Sequence, residues 1–240
     1  MEGIKRNIPN IITILNLLCG LCAILFAYKN SLWIAAIFIL AGSICDVLDG
    51  LIARLLGVQS EFGKQLDSFS DIVTFGVAPG VILFHLIYVS ITDQYFKYNI
   101  DSSFFISLTG MLVPIFAMIR LTRFNIGNEQ NNYFVGLPTP VTAIFISSFP
   151  IILKYHDILL LSETKFLILS SIILSTLMTS NIHFFSLKNS KSDRIISRLN
   201  IIRFLFLISS VILLLSFKFI AIPFIVTLYI FLSILNNLTT

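Results

Sequence analysis

The chain has 240 residues, 57% of them hydrophobic and only 12% charged, and its mean hydropathy is +0.95. A water-soluble domain carries about 25% charged residues, so this composition excludes one, and repeated apolar runs of about 20 residues match the hydrocarbon thickness of a bilayer instead. The net charge of +4 does not signal nucleic acid, since no basic stripe with interleaved aromatics accompanies it; it fits orientation in a membrane.

Met1 to Ile8 is short and basic through Lys5 and Arg6, and no small-residue cleavage site follows the first apolar run. That run is expected to be the first span, not a signal peptide. Apolar windows and their breaks predict spans over 11–28, 31–55, 62–90, 103–124, 138–156, 164–182, 201–217 and 219–238. The breaks are the polar turn Tyr28-Lys29-Asn30, a loop from Thr92 to Ser103, the amide-rich stretch Asn125 to Asn132 and the basic segment Ser186 to Asn200. Only Phe217-Lys218-Phe219 separates the last two windows, which leaves one long tilted helix open as an alternative.

With eight spans both termini share a side. That side collects Lys5, Arg6, Arg54, Lys64, Arg120, Arg123, Lys188, Lys191, Arg194, Arg198 and Arg203, against Lys29, Lys97, Lys154, Lys165 and Lys218 opposite. By the positive-inside rule the first side is cytoplasmic. Cys19, Cys22 and Cys45 all fall in spans, where packing is the expected role. His85, His156 and His183 are scattered, and none is paired with an acidic cluster.

The chemistry concentrates in Asp46, Asp49, Asp67 and Asp71. Asp46 and Asp49 are spaced i, i+3, and Asp67 and Asp71 i, i+4, so each pair shares a helix face. The short link from Leu55 to Glu61 predicts an antiparallel hairpin that converges the four carboxylates near its cytoplasmic end. Carboxylates so placed need a cation, and an oxygen-only set selects Mg²⁺, Mn²⁺ or Ca²⁺ over zinc. Small residues (Gly50, Ala53, Ser60, Gly63, Ser68, Ser70) admit a bulky polar group or close helix packing. Arg54, one turn past Asp49-Gly50, supplies a cation to a phosphate, and together these parts describe phosphoryl transfer.

The pattern Asp46-x2-Asp49-Gly50-x2-Ala53-Arg54-x8-Gly63-x3-Asp67-x3-Asp71 resembles the CDP-alcohol phosphotransferase signature at every fixed position. The resemblance implies an all-α polytopic membrane protein with a six-helix core and about two further C-terminal helices. It divides the chain into a catalytic core over 1–182, a basic cytoplasmic loop over 183–200 and two spans over 201–238. It implies a two-metal centre of Mg²⁺ or Mn²⁺ on Asp46, Asp49, Asp67 and Asp71, with Asp71 as general base. It also implies a CDP-lipid cradle from Gly50, Ala53, Arg54 and Ser60, with room left by Gly63, and a homodimer.

Flanking segments bear on the acceptor. Ile8-Pro9-Asn10-Ile11 with Thr13 and Asn16, the stretch Ser68 to Pro79, and Arg120-Leu121-Thr122-Arg123-Phe124-Asn125 followed by Tyr133 to Pro140 are similar to the bacterial and archaeal phosphatidylserine synthase branch. The implied substrates are CDP-diacylglycerol and L-serine. Arg120 and Arg123, spaced i, i+3, are candidates for the serine carboxylate; the competing reading is that both anchor the span at the headgroups. Asn10 and Thr13 are candidates for the cytidine or ribose, against an ordinary helix N-terminus. Glycerol 3-phosphate, inositol or inositol phosphate as acceptor, and an archaeal-type lipid donor, stay open. A cation-coupled transporter would place its acids near the bilayer midplane in paired broken helices, unlike one hairpin with an adjacent arginine.

Overall fold

The computed structural model describes residues 2–94, 99–126, 133–185 and 198–238. Lys97, the amides from 127 to 132, and Lys188, Lys191 and Arg194 of the expected basic loop lie outside the described residues, as do the side chains of Lys5, Arg6 and Arg198. The protein is an all-α polytopic membrane protein. Its helices run α1 Glu2–Tyr28, α2 Leu32–Leu56, α3 Glu61–Asp71, α4 Ala78–Thr92, α5 Ser102–Ser107, α6 Leu112–Ile126, α7 Thr139–Tyr155, α8 Leu159–Ser162, α9 Thr164–Met178, α10 Arg198–Phe217 and α11 Ala221–Leu238.

A π-helical turn, Ile72–Val77, fuses α3 to α4, and a 3₁₀ turn, Leu108–Met111, joins α5 to α6. Each of the eight apolar windows therefore maps onto a helical segment. Among the described residues, five stretches, Asn7–Tyr28, Leu32–Leu56, Glu61–Thr92, Ser102–Ile126 and Asn200–Leu238, are long and apolar enough to cross a membrane, while Thr139–Tyr155 and Thr164–Met178 are shorter.

α1 and α2 form a tight hairpin because small residues line their seam. Ala23, Ala27, Ala35 and Ala36 are fully buried, and the rings of Phe26 and Phe38 stack at 5.2 Å. Close approach of this kind drives helix association in lipid, where burial of apolar surface gives little advantage. Gly57 closes α2 in the left-handed conformation at φ 64°, which glycine reaches without steric cost. Ser60 then caps α3, its Oγ accepting from the Gly63 N–H at 3.1 Å. The turn between the two aspartate pairs is thus set by four residues.

Pro79 sits at the start of α4. It lacks an N–H and its ring crowds the carbonyl four residues back, so the ladder widens into the π turn. Beyond it α4 presses on α6: a Cβ at Gly110 would lie 2.6 Å from the Phe84 nitrogen, and one at Gly80 would lie 2.7 Å from Pro114 Cδ.

One feature departs from expectation. The span expected to reach 182 stops at Met178, because the chain turns into a strand, His183–Phe185, that pairs antiparallel with Tyr133–Val135. Gly136 makes this possible: its φ is +77°, and a Cβ there would collide with the Met178 carbonyl. The C-terminal stretch is not one straight helix. A 3₁₀ turn over Lys218–Ile220 breaks it, and the rings of Phe206 and Tyr229 lie 5.8 Å apart, so α10 and α11 fold back on each other as a hairpin. The outward faces of the bundle remain apolar, with Ile11, Leu18, Leu25, Phe69, Leu215 and Phe231 exposed, as a lipid-facing surface requires.

Candidate active site

α1 is stitched to α3 and the π turn by hydroxyls one turn apart. Ser70 Oγ donates to the Thr13 carbonyl at 3.2 Å and Thr74 Oγ1 to the Asn16 carbonyl at 2.9 Å. The same two α1 residues return their side chains to the acids. Thr13 Oγ1 donates to Asp49 Oδ2 at 2.6 Å, and Asn16 Nδ2 donates to Asp71 Oδ1 at 3.2 Å. Glycines permit this closeness: a Cβ at Gly20 would lie 2.5 Å from Thr74 Oγ1 and 2.8 Å from its Cα, and one at Gly42 would lie 2.9 Å from Asn16 Oδ1.

Three of the four carboxylates form one tight cluster. One oxygen each from Asp46, Asp49 and Asp67 lies within 4.8 Å of the others. Asp71, buried like Asp49, is held by Asn16 beside that group. Two carboxylates at such a separation repel by at least about 3 kcal/mol at an effective dielectric constant near 20, so the trio needs a compensating cation. Asp67 Oδ1 is also buried with no hydrogen-bond partner, an orphaned acceptor of the kind a cation satisfies. The donor set is all oxygen, which fits a hard divalent ion.

Around the trio, Arg54 is exposed and lies across Gly50, whose Cβ position is 3.5 Å from Arg54 Nη1. A Cβ at Gly50 would make ordinary contact with the guanidinium. Ala53 precedes Arg54 on the same helix. At the start of α3, the Cβ position of Gly63 is 3.2 Å from both Asn10 Oδ1 and Ser60 Oγ. Asn10, Ser60 and Gly63 therefore meet in one small polar corner between α1 and α3.

The two α6 arginines part company. Arg120 is buried and donates to Thr139 Oγ1 at 3.4 Å, while its Nε has no partner; it is close enough to Asp71 to interact electrostatically. Arg123 is exposed and donates to the Thr179 carbonyl at 3.2 Å. Beside them, Asn125 Nδ2 donates to Ser68 Oγ at 2.8 Å and ties the end of α6 to α3. No histidine joins the acids: His85 pairs with Asn30 at 2.6 Å and His183 with Asn237. The cysteines are free thiols.

Asn16, Ser70, Thr74 and Asn125 were not singled out as site residues from sequence. The available signal was a run of polar side chains recurring at helical spacing inside apolar spans, which in lipid calls for partners.

Fold and site together define a helical membrane protein with a carboxylate centre suited to a divalent cation and a flanking guanidinium suited to a phosphate. The chain belongs to the CDP-alcohol phosphatidyltransferase family, whose family model matches residues 6–179. It is similar to the archaetidylserine synthase of Methanothermobacter thermautotrophicus, with 36% identity over 74% of this chain and 69% of that protein. It is similar to the CDP-diacylglycerol–serine O-phosphatidyltransferase of Bacillus subtilis, with 34% identity over 78% of this chain and 95% of that one. The protein of that name from Helicobacter pylori strain 26695 is 35% identical over 76% of this chain and 73% of its own length.

Proposed function

We propose that the protein transfers a phosphatidyl group from CDP-diacylglycerol to L-serine, yielding phosphatidylserine and CMP. The observation that carries this reading is the Asp46–Asp49–Asp67 cluster, with Arg54 beside it and Asp71 held next to it by Asn16. The names of the relatives support serine as the acceptor.

In this reading Asp46, Asp49, Asp67 and Asp71 would hold a two-metal centre of Mg²⁺ or Mn²⁺, which when bound neutralises the pyrophosphate and the developing charge. Arg54 binds the pyrophosphate from the other side, with Gly50 and Ala53 leaving it access and Ser60, Gly63, Asn10 and Thr13 on the nucleotide side. Arg120, with Arg123 at its rim, receives the serine carboxylate in bidentate fashion. Asp71 takes the proton from the serine hydroxyl. The freed oxygen bonds to the phosphorus that bears diacylglycerol, and the bond from that phosphorus to the CMP oxygen breaks. Arg54 stabilises the leaving CMP.

The site faces the cytoplasm, as the distribution of Lys and Arg favours. Residues 1–182 are the catalytic core, 183–200 the basic loop, 201–238 two further spans, and the protein works as a homodimer. An archaeal-type lipid donor is the second reading, favoured by the likeness to an archaetidylserine synthase.

The test follows CMP release by detergent-purified protein with Mn²⁺ or Mg²⁺, CDP-diacylglycerol or its archaeal ether analogue, and serine, glycerol 3-phosphate or inositol in turn. Release with serine alone supports the reading. Release with another alcohol alone overturns the acceptor, and no metal-dependent release with any of them overturns the function.

A further inference from the structure

The C-terminal hairpin lies after the segment that the family model matches, yet it grips the wall behind Arg120. The grip has two ends on one face of α11. Asn237 Nδ2 donates to the His183 carbonyl at 2.8 Å and its Oδ1 accepts from the His183 N–H at 3.3 Å. Eight residues earlier, the buried Tyr229 hydroxyl donates to the Phe185 carbonyl at 3.0 Å. Two side chains thus take the place of a third strand along His183–Phe185. Phe185 is clamped further by rings, with Tyr229 at 4.9 Å and Phe206 of α10 at 5.7 Å.

That strand is what the other half of the wall rests on. It pairs with Tyr133–Val135; the Gly136 N–H then donates to the Ile182 carbonyl at 2.9 Å and the Leu137 N–H to the Leu177 carbonyl at 3.0 Å. Two residues on, Thr139 opens α7 and accepts from Arg120. The 3.4 Å length of that bond leaves Arg120 dependent on where Thr139 is held. Tyr229 and Arg120 are also close enough to interact electrostatically.

We propose that the α10–α11 hairpin is a brace for the acceptor side of the site, with Tyr229 the positioning residue that keeps Thr139, and through it Arg120, in place. This rests on the reading of Arg120 as the acceptor's partner. A hairpin that served only as a membrane anchor would have no need to complete a strand's hydrogen bonding with two side chains. The brace also gives the last two spans a purpose in the reaction.

The test compares Tyr229→Phe, which keeps the ring and removes the bond, Asn237→Ala, which cuts the other end, and Thr227→Val. Thr227 is exposed on the same helix and donates to the Pro223 carbonyl at 2.7 Å, within its own helix. The KM for serine is expected to rise about fivefold in Tyr229→Phe, the worth of one buried hydrogen bond, with the KM for CDP-diacylglycerol unchanged. Asn237→Ala should move the same way and Thr227→Val should move neither. Deuterium exchange at the amides of Gly136 and Leu137 should quicken in the first two variants. An unchanged acceptor KM, or equal rises for donor and acceptor, overturns the proposal whatever happens to stability. If the wild-type protein uses another alcohol, the serine reading fails by itself, and the KM for that alcohol becomes the readout of the brace.

Discussion

Asn16→Ala removes the side chain that fixes Asp71 and that is not itself proposed to contact substrate. Asn16 is fully buried, and its single bond to an acid is Nδ2 to Asp71 Oδ1 at 3.2 Å. A hydrogen bond to a charged group contributes about 1.5–3 kcal/mol, and if that support is used in orienting Asp71 during proton removal, kcat falls by about 10- to 150-fold. The KM values should stay within about twofold, because binding groups are untouched. Asn16→Gln should not rescue: a Cβ at Gly42 would already lie 2.9 Å from Asn16 Oδ1, so the seam has no room for another methylene. The assay is CMP release at saturating serine and CDP-diacylglycerol, with thermal unfolding in detergent as the companion measurement. A kcat within twofold of wild type in a variant of reduced thermal stability would refute the reasoning and reduce Asn16 to a packing residue.

Asp67→Ala removes one member of the trio and should raise the Mn²⁺ concentration for half-maximal activity by at least about tenfold, since metal ligands are rarely worth less than one decade; an unchanged Mn²⁺ titration would remove Asp67 from the metal site. Chelation by EDTA should abolish CMP release and Mn²⁺ should restore it, whereas full activity in excess chelator would defeat the two-metal proposal. Gly20→Ala drives a Cβ against the Thr74 backbone as well as its hydroxyl, an overpacking cost of about 1–3 kcal/mol that should lower the unfolding midpoint and kcat together; a silent substitution would show that α1 can step away from the π turn. Arg120→Ala should raise the KM for serine far more than Arg123→Ala, because Arg120 is buried near Asp71 and Arg123 is exposed on the Thr179 carbonyl. Equal effects from the two would contradict that ranking.

The aspartates, Arg54 and the helical segments were legible because they rest on local regularities. Spacing by three and four residues puts acids on one helix face, and the length of an apolar run measures a bilayer. What escaped is non-local. Asn16 pairs with a residue 55 positions away and Thr13 with one 36 positions away, and nothing in the sequence of α1 announces either partner. The strand pair escapes because its halves are three residues each, too short for a period-two pattern, so Ile182 reads as the end of the preceding window although the helix stops at Met178.

The π turn fixes how the segment after the last aspartate meets α1. Asp67 and Asp71 both lie within the regular helix α3 and share a face, and Asp71 is its last residue before the ladder widens. Thr74, inside that turn, reaches the Asn16 carbonyl, so the segment after Asp71 is pulled against α1 while Asp67 stays with Asp46 and Asp49 across the hairpin. A regular helix there would carry Thr74 round the axis by a different angle and break that bond. Pro79 thereby helps set where the end of the eight-residue motif meets α1, although it lies eight positions beyond Asp71.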